Sequence, residues 1–318
     1  MLKKILLGVL CSLLGVIFIF SGYTKAGVGL PYSSPIEPFE YTFVDLGFIN
    51  WQIAPFIARL MIGLEFTIGF LLLLNLNLRK FTYKLAIGTL LFFCIYLTLL
   101  MLILGNKGNC GCFGETFPMT PFWALMKNVG MLLAFFILYK FHEGYEVPKK
   151  WSIVITLFFA CCLAFPFVRN PIELNYSEAY LNKDTQNYKL ELDSLYNNAT
   201  LNIPPKALSH GKHIIAFMSM SCPHCRIAAK KMRIIHERNS EIPMYIVLNG
   251  LDEKLKPFYD DTHAELIPHC ILNGRNFVYL AGLDMPRIYL INNSIIEFDV
   301  NYIDLDQDEL ENWLGLSP

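Results

Sequence analysis

Two cysteines two residues apart stand in the stretch Phe217-Met218-Ser219-Met220-Ser221-Cys222-Pro223-His224-Cys225-Arg226-Ile227. The apolar run Ile214 to Met218 reads as a buried strand, and Arg226 to Arg238 reads as a basic helix. That order puts Cys222 at a helix start, where free backbone N–H groups and the positive end of the helix dipole stabilise a thiolate. Cys222 is the expected nucleophile and Cys225, one turn on, the thiol that closes or resolves a disulfide. Pro223 suits the first helical turn, where its missing N–H costs nothing. His224 adds positive character beside the thiolate, which makes the pair more oxidising. The competing reading, a zinc half-site or an inert pair, lacks a second Cys-x-x-Cys in the same region.

A second pair lies in Asn109-Cys110-Gly111-Cys112-Phe113-Gly114. A disulfide across one glycine closes a small ring, strained relative to an ordinary bridge. Strained, exposed bridges are oxidising and exchange readily, and Gly111 and Gly114 give the backbone room for the ring. A tight turn with incidental thiols, or part of a Cu(I) site, is the alternative.

The elements that must position these pairs differ sharply in composition. The chain has 318 residues, 54% of them hydrophobic, a net charge of -1 and nine cysteines. The apolar excess lies before Arg169 and the charges concentrate after it. No basic surface suggests nucleic acid. Five stretches have the length to span a bilayer: Ile5–Tyr23, Ile53–Leu74, Leu85–Leu104, Phe122–Tyr139 and Trp151–Val168. Lys3-Lys4 before an apolar run also describes a signal peptide. Ser21-Gly22-Tyr23-Thr24-Lys25 is a poor cleavage site, so the first run is read as a retained span.

Lys3, Lys4, Arg79, Lys80, Lys84, Lys140, Lys149 and Lys150 fall in alternate loops, while Glu37, Glu40, Asp45 and Glu115 fall in the others. The positive-inside rule then sets the N-terminus in the cytoplasm and puts both cysteine pairs on the outer, oxidising face. The expected location is a bacterial inner membrane, crossed several times, with the C-terminal domain periplasmic.

Charges within spans are functional by default. Counted from the outer ends, Arg59 lies about 9 Å deep and Lys127 about 8 Å deep, both beneath the cysteine loop. They are expected to polarise a quinone head group or hold a thiolate; the competing reading is snorkelling to outer head groups. Glu65, about 18 Å deep, points away from Arg59 on its helix and is expected to relay protons or pair across helices. Cys11, Cys94, Cys161 and Cys162 read as packing residues.

The soluble part continues with a strand at Pro243–Leu248, a helix at Asp252–His263, a strand at Ser294–Val300 and a helix at Gln307–Leu314. Cys270, in Leu266-Ile267-Pro268-His269-Cys270, reads as an ordinary buried cysteine, with an additional exchange thiol or a metal ligand beside His269 as the alternatives. Lys230, Lys231, Arg233 and Arg238 read as a solvated basic stripe. Residues 171–205, rich in Asn, Tyr, Glu, Ser and Lys, read as a linker with a short helix or strand, closed by Pro204-Pro205. The expected architecture is therefore a membrane domain over 1–170, a linker over 171–205 and a soluble α/β domain over 206–318.

Strand, Cys-Pro-His-Cys, then helix resembles the thioredoxin fold, and the Pro-His pair resembles periplasmic disulfide-forming oxidases of that superfamily. The resemblance implies a cis-proline facing the cysteines, for which Pro286 in Asp284-Met285-Pro286-Arg287-Ile288-Tyr289-Leu290 is the candidate. The membrane half resembles the MauE/DoxX group in Phe18-Ile19-Phe20-Ser21-Gly22-Tyr23-Thr24-Lys25, in Arg59-Leu60-Met61-Ile62-Gly63-Leu64-Glu65, and in the Cys-Gly-Cys-Phe-Gly loop that marks the MauE branch. The fold class that follows is a four-helix membrane core with a fifth transmembrane helix, joined to an α/β thioredoxin-like domain.

The two resemblances imply a membrane thiol–disulfide oxidoreductase. Electrons from dithiols of exported proteins would pass through Cys222/Cys225 to Cys110/Cys112, and then to a quinone. No tightly bound cofactor and no metal are expected; the partners are exported dithiol proteins, membrane lipid and quinone. The alternatives are an outward-facing reductase fed by the membrane half, or a Cu(I)-delivery factor without catalysis.

Overall fold

A computed structural model describes residues 2–47, 49–172 and 188–316. The chain divides into two compact units, Met1–Ile172 and Glu173–Pro318.

The first unit is helical. Its long helices are α1 (Leu2–Lys25), α3 (Ala54–Leu73), α4 (Tyr83–Leu104), α5 (Pro121–Phe141) and α6 (Lys149–Arg169), with a short α2 (Glu37–Asp45) between the first two. Among the described residues five helical segments are long and apolar enough to cross a membrane. A rise of about 1.5 Å per residue carries each of them across most or all of a hydrocarbon core of about 30 Å. Side chains such as Leu102, Ile153 and Val168 stand fully outward on these helices, a surface suited to lipid. Each helix keeps its backbone bonds internal, as a bilayer requires.

Helix α1 packs along α3, α4 along α5, and α6 against α3. The α1–α3 crossing is made by two glycines. A Cβ on Gly15 would stand 2.9 Å from the carbonyl oxygen of Gly69, and a Cβ on Gly69 would stand 2.5 Å from Cγ1 of Ile19. Small residues at such a point let helix backbones approach closely. The crossing sets the C-terminal end of α1 beside the middle of α3, and the buried charges described below lie there.

The second unit is a five-stranded sheet with order β3-β2-β1-β4-β5. The strands are β1 (Lys212–Ser219), β2 (Met244–Asn249), β3 (His269–Ile271), β4 (Arg287–Asn292) and β5 (Ile295–Val300). β1, β2 and β3 are parallel, while β4 runs antiparallel to both of its neighbours, β1 and β5. The helices are α7 (Leu192–Asn198), α8 (Pro223–Arg238), α9 (Leu255–Thr262), α10 (Arg275–Ala281) and α11 (Gln307–Leu314). Ile214 to Met218 are wholly buried, as a strand covered on both faces should be. Ile215, Phe217, Val247 and Tyr289 form one core with Phe277 and Leu280 of α10. Strand alternation turns Ile214, Ala216 and Met218 to the other face, matching the buried stripe of α8 that includes Ile227, Met232 and Ile235. The strands expected after residue 206 are present within two residues of their bounds. The helices expected from Arg226 and Asp252 begin three residues away, at Pro223 and Leu255, and the arrangement is thioredoxin-like.

The linker expectation needs correction. Residues 173–187 of it lie outside the described residues, but 188–205 belong to the sheet domain. Leu190, Leu192 and Leu195 are core residues. The N–H of Leu190 donates to Ser294 O at 2.8 Å, and Thr200 and Ile271 exchange two backbone bonds at 2.7 and 2.9 Å. The polar composition concealed three inward-facing leucines.

Candidate functional site: two cysteine pairs

The loop between α4 and α5 is folded around Asn109. Its side-chain amide donates to Gly114 O at 2.9 Å, and its Oδ1 accepts from the N–H of Gly111 at 3.2 Å and of Met119 at 3.1 Å. The Cys110 N–H donates to Met119 O at 2.9 Å. Gly111 and Gly114 both have positive φ, +71° and +63°. A Cβ at Gly114 would meet the Thr24 carbonyl at 2.6 Å, so glycine lets the loop sit directly on the end of α1.

The expected exposure of this pair is not found. Cys110 is 2% exposed and Cys112 8%, because the loop is pressed onto α1 and α2 rather than standing free. The Cys110 thiol donates a hydrogen bond to Cys112. That bond, opposed by burial and aided by the charges of Lys127 and Lys25, pulls the Cys112 thiol down to about 7. The same bond and burial push the Cys110 thiol well up. The reduced pair thus gives up one proton readily and keeps the other on Cys110, beside the Cys112 sulfur.

Beneath Cys112 lies a cavity of about 30 Å³ whose lining includes Ser21, Lys25, Glu65, Cys112, Lys127 and Asn128. Lys25 Nζ is 2.7 Å from Glu65 Oε1 and only 1% of Lys25 is exposed. Ser21 Oγ lies 3.0 Å from the same carboxylate oxygen and 3.1 Å from the carbonyl of Cys112, and it accepts from Lys25 at 3.1 Å. Lys25 also faces the Phe39 ring at 4.7 Å, and Lys127 the Phe113 ring at 4.2 Å, favourable cation–π positions.

Of the three charges singled out in the spans, Glu65 and Lys127 line this cavity and Arg59 does not. Arg59 pairs with Glu40 at 2.5 Å. Its remaining donors meet the carbonyls of Pro55, Asn170 and Pro171. It ties α2, α3 and the end of α6 together. Sequence reasoning missed Lys25 and Ser21, which sit one helical turn apart at the end of α1.

The space also bears on the quinone expectation. A cavity of about 30 Å³ takes one or two water molecules, whereas a benzene ring occupies an engineered cavity of roughly 150 Å³. A quinone ring does not fit here.

In the second unit Cys222 caps α8, with φ −84° and ψ 123°, and Pro223 opens the helix. Cys222 is partly exposed and Cys225 buried. The Ser219 N–H donates to Cys225 Sγ at 3.3 Å. Burial dominates all the same and pushes the Cys225 thiol far above the ordinary range. His224 Nδ1 lies 2.9 Å from the Tyr302 hydroxyl, a partner not visible in the sequence. The Met285–Pro286 peptide is cis, at the start of β4, whose Arg287 pairs with Phe217 of β1.

Cys270 is fully buried, and burial, eased by a hydrogen bond with Tyr245, lifts its thiol to about 11. The basic stripe on α8 is a solvated face only in part: Arg238 is exposed. Lys231 and Arg233 are buried; Lys231 donates to the carbonyls of Tyr302 and Ile303 at 3.0 and 2.7 Å. Lys230 pairs with Asp261 at 3.2 Å and Arg233 with Glu237 at 2.9 Å. Long stems bury along the helix while their heads find carbonyls and carboxylates. Among the described residues no cluster of three or more His, Cys, Asp and Glu side chains could hold a metal ion.

Comparison with known proteins follows this division. Residues 3–141 match the family model described as methylamine utilisation protein MauE. Over 327 aligned residues the chain is 28% identical to Protein TlpB of Flavobacterium psychrophilum, covering 88% of this chain and 87% of the relative. A secreted Mycobacterium tuberculosis disulfide oxidoreductase, described as homologous to E. coli DsbE, aligns over 39% of this chain and 98% of its own at 17% identity, with a TM-score of 0.31.

Proposed function

From a MauE-type membrane domain joined to a thioredoxin-like domain, we propose a membrane thiol–disulfide oxidoreductase that oxidises dithiols of exported proteins and relays their electrons between its two cysteine pairs. The charge pattern of the loops supports a bacterial inner-membrane location with both pairs on the periplasmic face.

A substrate thiolate attacks Cys222 Sγ of the Cys222–Cys225 disulfide, forming a mixed disulfide and releasing Cys225. The second substrate thiolate displaces Cys222 and leaves with the new disulfide. Two electrons now rest on Cys222/Cys225. Cys222 thiolate attacks Cys110 Sγ of the loop disulfide, and Cys112 departs as thiolate. Cys225 then attacks Cys222, restoring its own bridge and leaving Cys110 and Cys112 reduced. The loop pair passes its two electrons to an acceptor outside this relay. Both pairs belong to one chain, so tethering raises the frequency of their encounter.

The lowered Cys112 thiol supports this direction. Cys112 is held near 7, which stabilises the reduced loop and makes its disulfide the stronger oxidant. Burial drives Cys225 upward as it does Cys110, so the lowered Cys112 is what sets the loop pair apart. A thiolate of low pKa is also the better leaving group, which favours attack at Cys110.

The test is Cys225→Ala in the full-length chain. The expected result is a trapped disulfide between Cys222 and Cys110 or Cys112, identified by mass spectrometry without reduction. A folded variant that never forms this adduct rules the relay out.

A further inference from the structure

We propose that Glu65 is the proton acceptor for the Cys112 thiol, through water in the cavity that both side chains line. The proposal rests on the reading of Cys110/Cys112 as a redox pair but does not depend on the relay to Cys222.

Glu65 is only 4% exposed. Its two oxygens are treated unequally. Oε1 takes Lys25 at 2.7 Å and Ser21 at 3.0 Å. Oε2 is buried and has no hydrogen-bond partner in the protein. A buried carboxylate oxygen left without a donor costs free energy that natural structures avoid. If the oxygen served only to hold Lys25, a second donor would be expected to close the site. The cavity that Glu65 lines is largely apolar but also carries Ser21, Lys25, Lys127 and Asn128, and it is large enough for a water molecule held between Glu65 and Cys112. An oxygen left open, a cavity with a few polar side chains in an apolar wall and a thiol on one side form a path for one proton.

The step conserves charge. The Cys112 S–H proton passes to cavity water, and that water gives a proton to Glu65 Oε2. Cys112 is left as thiolate, and Glu65 becomes neutral. Lys25 and Lys127 remain as the two cations, so the sum of charges around the cavity is unchanged and no ion crosses the apolar shell. The titratable groups around the loop thiols are Lys25 of α1, Glu40 and Asp45 of α2, Glu65 of α3, Cys94 and Tyr96 of α4, Lys127 of α5, and Cys110 of the loop. Among the described residues that line the cavity with Cys112, the carboxylate placed to take the proton is Glu65. When the sulfur pair later accepts a proton, the path runs in reverse.

The experiment uses the full-length chain in lipid nanodiscs, with Cys222 and Cys225 changed to Ala and the loop pair reduced. The rate of Cys112 alkylation by iodoacetamide is followed by mass spectrometry between about pH 5 and about pH 9. With Glu65 present, the thiolate forms by internal transfer, so the rate levels off on the acid side. In Glu65→Gln the proton must leave for solvent, and the acid-side rate falls about tenfold per pH unit. Above about pH 8, where the thiolate already exists, the two proteins react alike. Glu65→Asp, which keeps a carboxyl group, retains the acid-side plateau. Glu65→Gln reacting as fast as the parent or faster at low pH overturns the proposal, because removing a negative charge alone makes Cys112 more acidic. Equal slowing of Glu65→Gln at every pH also overturns it, because that is structural damage. The missing Cys222 and Cys225 keep a failure here distinct from a failure of the relay.

Discussion

Gly15 of α1 and Gly69 of α3 meet so closely that a methyl group on Gly15 would stand 2.9 Å from the Gly69 carbonyl oxygen. Ten residues beyond Gly15 is Lys25, four residues before Gly69 is Glu65, and the two charges close a 2.7 Å ion pair. Backbone proximity at the crossing fixes the ion pair, about three turns along α1 and about one turn along α3 from the glycines. Gly69→Leu is expected to force α1 off α3 at a cost of about 1–3 kcal/mol from overpacking alone. Thermal unfolding in detergent reads that loss. The Cys112 alkylation profile should move with it, since Lys25 and Glu65 both act on that thiol; an unchanged profile in a destabilised protein would break the link.

Lys127 has its ammonium over the Phe113 ring and lines the cavity. Its charge favours the Cys112 thiolate. Lys127→Met removes that attraction while keeping the length of the stem. The midpoint of Cys112 alkylation is expected to rise from about 7 by roughly one unit. A higher midpoint means a less stabilised reduced form, so the loop disulfide becomes a weaker oxidant and equilibrium with a reference dithiol shifts toward the oxidised loop. A midpoint that stays or falls shows that Lys127 is spent on the aromatic ring alone.

The thioredoxin-like domain contains three thiols with different fates. Cys222 is partly exposed, Cys225 and Cys270 are buried. Burial drives the Cys225 thiol far upward and holds Cys270 at about 11. Iodoacetamide at neutral pH should therefore label Cys222 first, and Cys225 and Cys270 only on unfolding. Cys270→Ala should leave dithiol oxidation intact and lower stability by about 1–2 kcal/mol, the cost of a small buried group. Loss of oxidation in a folded Cys270→Ala would make that cysteine a third exchange thiol.

Local pattern was enough for much of this architecture. Spans follow from apolar length, the strand before Cys222 from an unbroken run of Ile214 to Met218, and the special proline from its place before β4. What stayed hidden was pairing at a distance. Lys25 reads as the last residue of an apolar helix, with nothing nearby to show a carboxylate forty positions on. Arg59 reads as a charge available for a ligand until Glu40 and two carbonyls near the end of α6 occupy it. Leu190, Leu192 and Leu195 sit among polar residues, too few to give a period. Lys231 reads as solvated because its stem and its head have opposite preferences, and only the tertiary fold decides which prevails.

A serine has one hydroxyl hydrogen, and Ser21 stands within reach of two acceptors, the Glu65 carboxylate and the Cys112 carbonyl. It can serve only one of them at any instant. A carboxylate that has gained a proton competes less well for that hydrogen, which then turns to the peptide of the sulfur loop. Ionisation beneath the loop is thereby translated into how firmly the loop is fastened, and a change of charge becomes a change of grip.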